Sequence, residues 1–368
     1  AFAREALDVL DARHQRRRLR ETYAADNVHV MRENKQYISF SGNDYFGLSH
    51  HPEVVAAAAG ALRRDGAAAG ASRLVTGNHP RYAELETLLA AMKGTEAALV
   101  FGSGYLANLG VIQALADQND LILADRLSHA CMLDGARLSG ATLMRFAHNS
   151  VEHARALLEA HRKEFGHCLI LTETVFSMDG DLAPVAKLAA LAEAHDAWLI
   201  TDDAHGLGIV PAHPQAAVQI GTLSKGAGSY GGYACAGREV IEYLINAARS
   251  LVFSTALPPA CVAASAAALR LLGKNAELPA RALANARHFT ALLEKPEAQS
   301  AIVPVILGEP ERALEASAAL EREGLLVSAI RPPAVPPGSA RLRFAFSALH
   351  ERAQVERAAH LLKTHGYA

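Results

Sequence analysis

One lysine, Lys225, stands in "GTLSKGAGSYGGY" (221–233) among hydroxyls and five glycines. An ammonium in a turn stripped of bulky side chains can clamp a phosphate, condense with a carbonyl or point into water. Twenty-three residues upstream (225 − 202 = 23), "WLITDDAHGLG" ends an aliphatic run on Asp202 and adds His205 three residues later. Alone, that pair reads as a metal pair, a dyad or a salt-bridged turn. If Asp202 and Lys225 close adjacent strands of a parallel sheet, an amine, a carboxylate and an imidazole meet on one rim.

That set meets the needs of pyridoxal phosphate (PLP). An amine condenses with the aldehyde, a carboxylate keeps the pyridine nitrogen protonated, and the ring serves as an electron sink. His205 would then face the phenolic oxygen. The phosphate requires donors, and "VFGSGYLANLG" supplies a glycine turn opening a helix, whose first N–H groups attract an anion. The backbone amides of Gly104 and Tyr105 and the hydroxyl of Thr222 are the candidates. In "ADRLSHACMLDG", His129 follows Asp125 by four residues; an imidazole there is either structural or stacks on the ring face opposite the lysine. The glycines of "GSGYLANLG" do not form the GxGxxG dinucleotide fingerprint, and "GTLSKGAG" lacks the P-loop frame.

These residues need a scaffold that aims them at one place. "AALVF", "LILAD", "CLILTE", "AWLITDDA" and "VQIGTLS" are short aliphatic runs without alternation, the pattern of strands buried on both faces of a mainly parallel sheet. Polar groups follow each: Ser103, Asp125 with His129, Glu173, Asp202 with His205, and Ser224 with Lys225. The carboxyl edge of such a sheet is where ligands bind. Between the runs, "HPEVVAAAAGALRRDG" and "HPRYAELETLLAAMKG" open on Pro52 and Pro80 and close on Gly66 and Gly94, as helices do. After "LPPACVAASAAALRLL" the runs "AIVPVIL", "GLLVSAI" and "ARLRFAFS" predict a smaller α+β lobe with a mostly antiparallel sheet. The predicted organisation is an N-terminal segment (1–45) wrapping a large domain (46–268), followed by a C-terminal domain (269–368).

The chain has 368 residues, is 51% hydrophobic and 20% charged, and carries a formal charge of -2. That balance gives no electrostatic reason to bind nucleic acid or an anionic membrane. The basic run Arg13–Arg20 reads as the solvated face of a helix continuing from "AREALDVLDA". Four scattered cysteines fit a reducing cytoplasm and no structural zinc site, and no HExxH-type pattern marks a metal among the 17 histidines. No run is apolar enough to span a membrane, and the first residues lack a signal-peptide apolar region.

The ordered motifs "SGNDYFGLSHHP", "GASRLVTGNHPRYAELE", "FGSGYLANLG", "ADRLSHACMLDGARLSGA", "RFAHN", "TETVFSMDGDLAP", "TDDAHGLG", "TLSKGAGSYGG", "FSTALPPA" and "AIRPPAVPPGSARLRFAFSALHE" run through nearly the whole chain. In them the chain resembles the α-oxoamine synthases, PLP enzymes of the aspartate-aminotransferase fold (fold type I). The resemblance implies an α/β large domain with a mainly parallel seven-stranded sheet and a smaller α+β C-terminal domain. It implies Lys225 as the Schiff-base lysine, Asp202 at the pyridine nitrogen, His205 at the phenolic oxygen and His129 on the ring face. Gly104, Tyr105 and Thr222 stay at the phosphate, and Ser177 near the cofactor. Glu173 and Asn43 lie close to the reacting centre, Arg331 holds the amino acid carboxylate and Arg20 the acyl-substrate end. Ser254 and Thr255 match a segment that reaches the phosphate from a partner subunit, implying a homodimer with active sites at its interface. "SRLVTGNHPRYAELE" and "AIRPPAVPPGSARLR" favour members that join L-alanine to a pimeloyl thioester, on CoA or a carrier protein, over glycine-using relatives such as 2-amino-3-ketobutyrate CoA ligase. Two intervals are shorter than is usual in the family: His205 to Lys225 (225 − 205 = 20) and "ALLEKPEAQSAI".

Overall fold

A computed structural model describes residues 2–368, which divide into two units. One comprises residues 48–177 and 181–276, the other residues 2–47, 178–180 and 277–368.

The first unit is built on seven strands. In spatial order they are Ala97–Phe101, Gly232–Ala236, Val218–Thr222, Trp198–Asp202, Cys168–Glu173, Leu121–Asp125 and Thr142–Phe146. Only Gly232–Ala236 runs antiparallel to its neighbours. The five aliphatic runs therefore end on a common edge, as parallel pairing demands. Leu121–Asp125, Cys168–Glu173 and Val218–Thr222 are buried at every position, because helices cover both faces. One apolar layer gathers Val111, Ile112, Leu171, Ile200 and Ile220; the other gathers Leu123, Leu158, Ile170, Leu188 and Leu199. Burying each such side chain contributes roughly 1.5–3 kcal/mol.

The punctuated helices form where expected. Pro52–Asp65 stops at Gly66, and Arg81–Lys93 stops at Gly94 in the left-handed conformation (φ 64°), which glycine adopts without steric cost. The helix Pro259–Lys274 packs on both of them, so the unit extends past residue 268 to the end of that helix.

In the other unit, Ile302–Gly308, Ala340–Ala345 and Ser328–Ile330 form an antiparallel sheet. Leu325–Leu326 instead pairs in parallel with Lys35–Ser39, so "GLLVSAI" is split between two sheets. The first residues, expected to wrap the large domain, thus share a unit with the C-terminal third. Phe40, Phe289, Phe344 and Phe346 form its aromatic core. The N-terminal helix ends at Ala12, so the basic run Arg13–Arg20 lies beyond it as a turn and irregular chain, not on a helix face. Among the described residues no helix is long and apolar enough to cross a membrane.

Candidate active site

The rim is assembled by strand register. Asp202 ends its strand opposite Ile220, and the neighbouring chain continues past Thr222 into the turn that carries Lys225. Lys225 Nζ lies 2.8 Å from His205 Nε2. Asp202 is 4% exposed, and its oxygens accept the Ala204 N–H at 2.9 Å and the Asn108 Nδ2–H at 2.8 Å. Burial pushes its carboxyl up, against the pull of Lys225 and these hydrogen bonds. Asn108 comes from the helix Gly104–Leu115 and also donates to the Gly104 carbonyl at 3.0 Å.

His129 caps the helix Ala130–Ser139. Its Nδ1 accepts the Cys131 N–H at 3.3 Å and lies 2.9 Å from Cys131 Sγ, while that sulfur is 3.9 Å from Asp202 Oδ2. An acceptor at Nδ1 leaves the proton of the neutral ring on Nε2. Burial holds the His129 pKa below its ordinary value, with Asp202 opposing and Lys225 reinforcing. Glu173 lies directly across the strand pair from Asp202. It is buried, takes backbone hydrogen bonds from His129 and Ser177, and keeps Oε1 without a hydrogen-bond partner among the described residues. Burial and the Asp202 charge push it up to about 8, with Lys225 opposing.

Beneath this rim is a buried ion pair that the sequence reading missed. Lys93 meets Asp203, each side chain 3% exposed, and Asp203 also accepts from Thr174 Oγ1 at 2.8 Å and the Tyr233 hydroxyl at 3.4 Å. The doublet "DD" thus splits into one acid aimed at the rim and one locked below. Nothing in the spacing separates the two; only the alternation of a strand does.

At the other end of the rim, the helix N-terminus at Gly104 abuts Thr222: a Cβ on Gly104 would stand 3.0 Å from Thr222 Cβ. Ser103 caps the helix through the Leu106 N–H at 3.2 Å, leaving the amides of Gly104 and Tyr105 at its open end. The Tyr105 side chain turns away to Asp134 Oδ2 at 2.5 Å. Thr222 Oγ1 donates to the Gly231 carbonyl at 2.9 Å and accepts from Ser224 Oγ at 2.7 Å. The exposed Ser224 hydroxyl thus donates to Thr222, on the edge where the sequence places it. Glycines make the approach possible. A Cβ on Gly232 would collide with the Ser103 carbonyl at 2.2 Å, and one on Gly228 (φ +60°) with the Ser49 amide at 2.4 Å.

Thr255 is exposed and bridges Ser72, with Ser254 beside it. Arg20, Asn43 and Arg331 belong to the other unit. There Arg20 is held in a two-pronged pair with Glu321 at 2.8 and 2.9 Å, lining a 370 Å³ cavity with Arg32, Ser41 and Ser317. Arg331 donates to the His14 carbonyl, and burial and the nearby Arg17 lower its pKa. Asn43 Oδ1 accepts from Tyr45 and Arg343, each at 3.2 Å.

The model of the aminotransferase class I and II family matches residues 35–362. The 8-amino-7-oxononanoate synthase of Methylobacterium nodulans is 57% identical over all of this chain and 97% of its own length. That of Methylorubrum extorquens is 56% identical, covering 98% and 94%. Among solved structures, a serine palmitoyltransferase of S. paucimobilis bound to a PLP–myriocin adduct superposes with a TM-score of 0.92 at 31% identity, covering 99% of this chain and 96% of that one. The 8-amino-7-oxononanoate synthase of Francisella tularensis gives 0.76 at 26%, covering 90% and 98%. The chain belongs to the aminotransferase class I and II family, the PLP-dependent enzymes of fold type I. Within it, identity over the full length places the chain with the 8-amino-7-oxononanoate synthases, C-acyltransferases of biotin biosynthesis.

The residues fit that cofactor. A buried carboxylate, an amine across from it, a helix end kept open by Gly104, and an unpartnered buried oxygen on Glu173 are a mixed set of donors and acceptors that suits a phosphorylated pyridine aldehyde.

Proposed function

We propose that the chain condenses L-alanine with a pimeloyl thioester, on CoA or a carrier protein, giving 8-amino-7-oxononanoate, CO2 and the free thiol. The reading is supported above all by Lys225 standing beside His205 while Asp202 is buried on the adjacent strand end. When bound, PLP offers an aldehyde to an amine and a conjugated ring that takes up the electron pair left when a Cα bond breaks. Lys225 is the covalent anchor, and its Nζ, once free, takes the alanine Cα proton. Asp202, fixed by Asn108 and Ala204, holds the proton on the ring nitrogen. His205 donates toward the phenolic oxygen, while Gly104, Tyr105 and Thr222 receive the phosphate.

His129, with its proton on Nε2, donates to the thioester carbonyl as the thiol leaves. Arg331 takes the alanine carboxylate in its planar fork, exchanging the His14 carbonyl for it. Arg20 serves the acyl end, where the incoming group competes with Glu321. Glu173, Asn43 and Ser177 complete the wall around the reacting carbon. Ser254 and Thr255 serve a partner copy's phosphate in a homodimer. The exposed Leu74, Val75 and Phe253 around the Ser72–Thr255 bridge give that contact an apolar surface. The four cysteines are free thiols, in keeping with a cytoplasmic enzyme.

The test is a product assay pairing alanine or glycine with pimeloyl, acetyl and longer acyl thioesters. Preference for alanine with the pimeloyl donor is expected. Turnover of glycine with acetyl-CoA alone would reassign the enzyme to its glycine-using relatives.

A further inference from the structure

His148 follows the edge strand Thr142–Phe146 and is absent from the roles above. Its Nδ1 lies 3.0 Å from Asp125 Oδ1 and its Nε2 2.8 Å from Asp181 Oδ2. Ionised carboxylates only accept, so a ring wedged between two of them must carry a proton on each nitrogen. We propose that His148 is a positioning residue, a doubly protonated imidazolium that fixes the turn carrying His129 to the turn carrying Ser177.

The connections close on themselves. Asp125 is fully buried at its strand end and starts the first turn by accepting the Leu127 N–H at 2.8 Å and, through its carbonyl, the Ser128 N–H at 3.0 Å. His129 is the next residue. Asp181 closes the second turn, its carbonyl accepting the Phe176 N–H at 3.0 Å beside the Val175–Leu182 bridge, and Ser177 follows Phe176. Asn149 doubles the clamp, its N–H on Asp125 Oδ2 at 2.7 Å and its Nδ2 on Asp181 Oδ2 at 2.8 Å. On the inner side, the backbone amides of His129 and Ser177 both donate to Glu173. The two turns are thus pinned to each other from two sides, by Glu173 within the site and by His148 with Asn149 behind it. Asp125 and Asp181 are the charged groups facing the ring, and the Phe176 ring meets it edge-on at 4.4 Å. Both carboxylates push the His148 pKa up to about 10, burial opposing, which keeps it charged through the neutral range.

The claim rests on the proposed reaction only for what the two turns do, so its test includes readouts that need no substrate. In histidine-15N-labelled holoenzyme at pH 8.5, one ring with two proton-bearing nitrogens is expected, missing from His148→Asn. A singly protonated His148 would overturn the proposal. His148→Asn and Asp181→Asn are then compared at a temperature where circular dichroism shows both folded. Expected are faster release of PLP on dilution and a kcat lower by at least about tenfold, the scale of a displaced reacting geometry. Folded variants with wild-type kcat and PLP release would reduce His148 to a structural ion pair. If His148→Asn does not fold, Asp181→Asn, which keeps the side-chain shape, decides alone. Failure of wild-type turnover with alanine and pimeloyl thioester would sink the functional reading and leave the labelling and PLP-release results standing.

Discussion

Lys225 Nζ and His205 Nε2 share one hydrogen bond of 2.8 Å, joining the turn after one strand to the turn after its parallel neighbour. The imidazole holds the amine on the rim. Lys225→Ala removes both the proposed anchor and the proposed base. Turnover is expected to fall below detection, and the protein should lose the near-visible absorbance of covalently held PLP. Normal turnover by this variant would end the PLP assignment.

Asp202 is fixed from two sides, by Ala204 and by Asn108. Asp202→Asn keeps the shape and removes the charge proposed to hold a proton on the ring nitrogen. We expect PLP to bind with kcat reduced on the order of 10²-fold or more, as when a preorganised electrostatic partner is lost. Asn108→Ala leaves the charge but frees its direction, and a smaller loss, about tenfold, is expected. Steady-state assays at saturating PLP separate the two. Equal effects would mean that Asp202 acts through packing alone.

The buried Lys93–Asp203 pair makes a stability prediction. Lys93→Met leaves an uncompensated carboxylate in a site 3% exposed, which costs on the order of 3–5 kcal/mol. The double change Lys93→Met with Asp203→Asn removes the stranded charge and is expected to recover much of that loss. Melting of the three proteins by circular dichroism tests this. A double variant no more stable than Lys93→Met would show that the charge is not the cause.

What was legible in the sequence follows from how it was written. The five buried strands announced themselves because strands covered on both faces are runs of aliphatic residues, and their polar ends named the rim. The edge strand Thr142–Phe146, "TLMRF", mixes polar and apolar side chains because much of it is only partly buried. Gly232–Ala236, "GYACA", is built from small residues beneath close-packed neighbours and gives little periodic signal. Neither reads as an apolar run. Lys225, Asp202 and His129 stood out through residue type and position. Asn108, Lys93 and Asp203 did not, because their roles arise from contacts across strands and helices that spacing does not encode. The basic run Arg13–Arg20 was misread for the opposite reason: a helical pattern continued past Ala12, where the helix stops.

His350 offers a test by pH. It stacks on Phe40 at 4.3 Å; its Nδ1 accepts the Ser347 N–H at 2.9 Å and its Nε2–H donates to the Ser39 carbonyl at 3.0 Å. Both nitrogens are satisfied only in the neutral ring. Burial accordingly pushes its pKa down to about 4, the Ser39 carbonyl opposing. The unfolded chain protonates near pH 6.5 and the folded one only near 4, so the folded state loses ground as pH falls between those values and loses no more below them. The window of 6.5 − 4 = 2.5 units corresponds to roughly 3 kcal/mol. His350→Gln lacks this titration. It should be less stable than the wild type at pH 7, having lost the Phe40 stacking. The gap should narrow steadily from pH 6.5 to 4, measured by denaturant unfolding at half-unit steps. A gap constant across that range would show that His350 titrates alike in the folded and unfolded states.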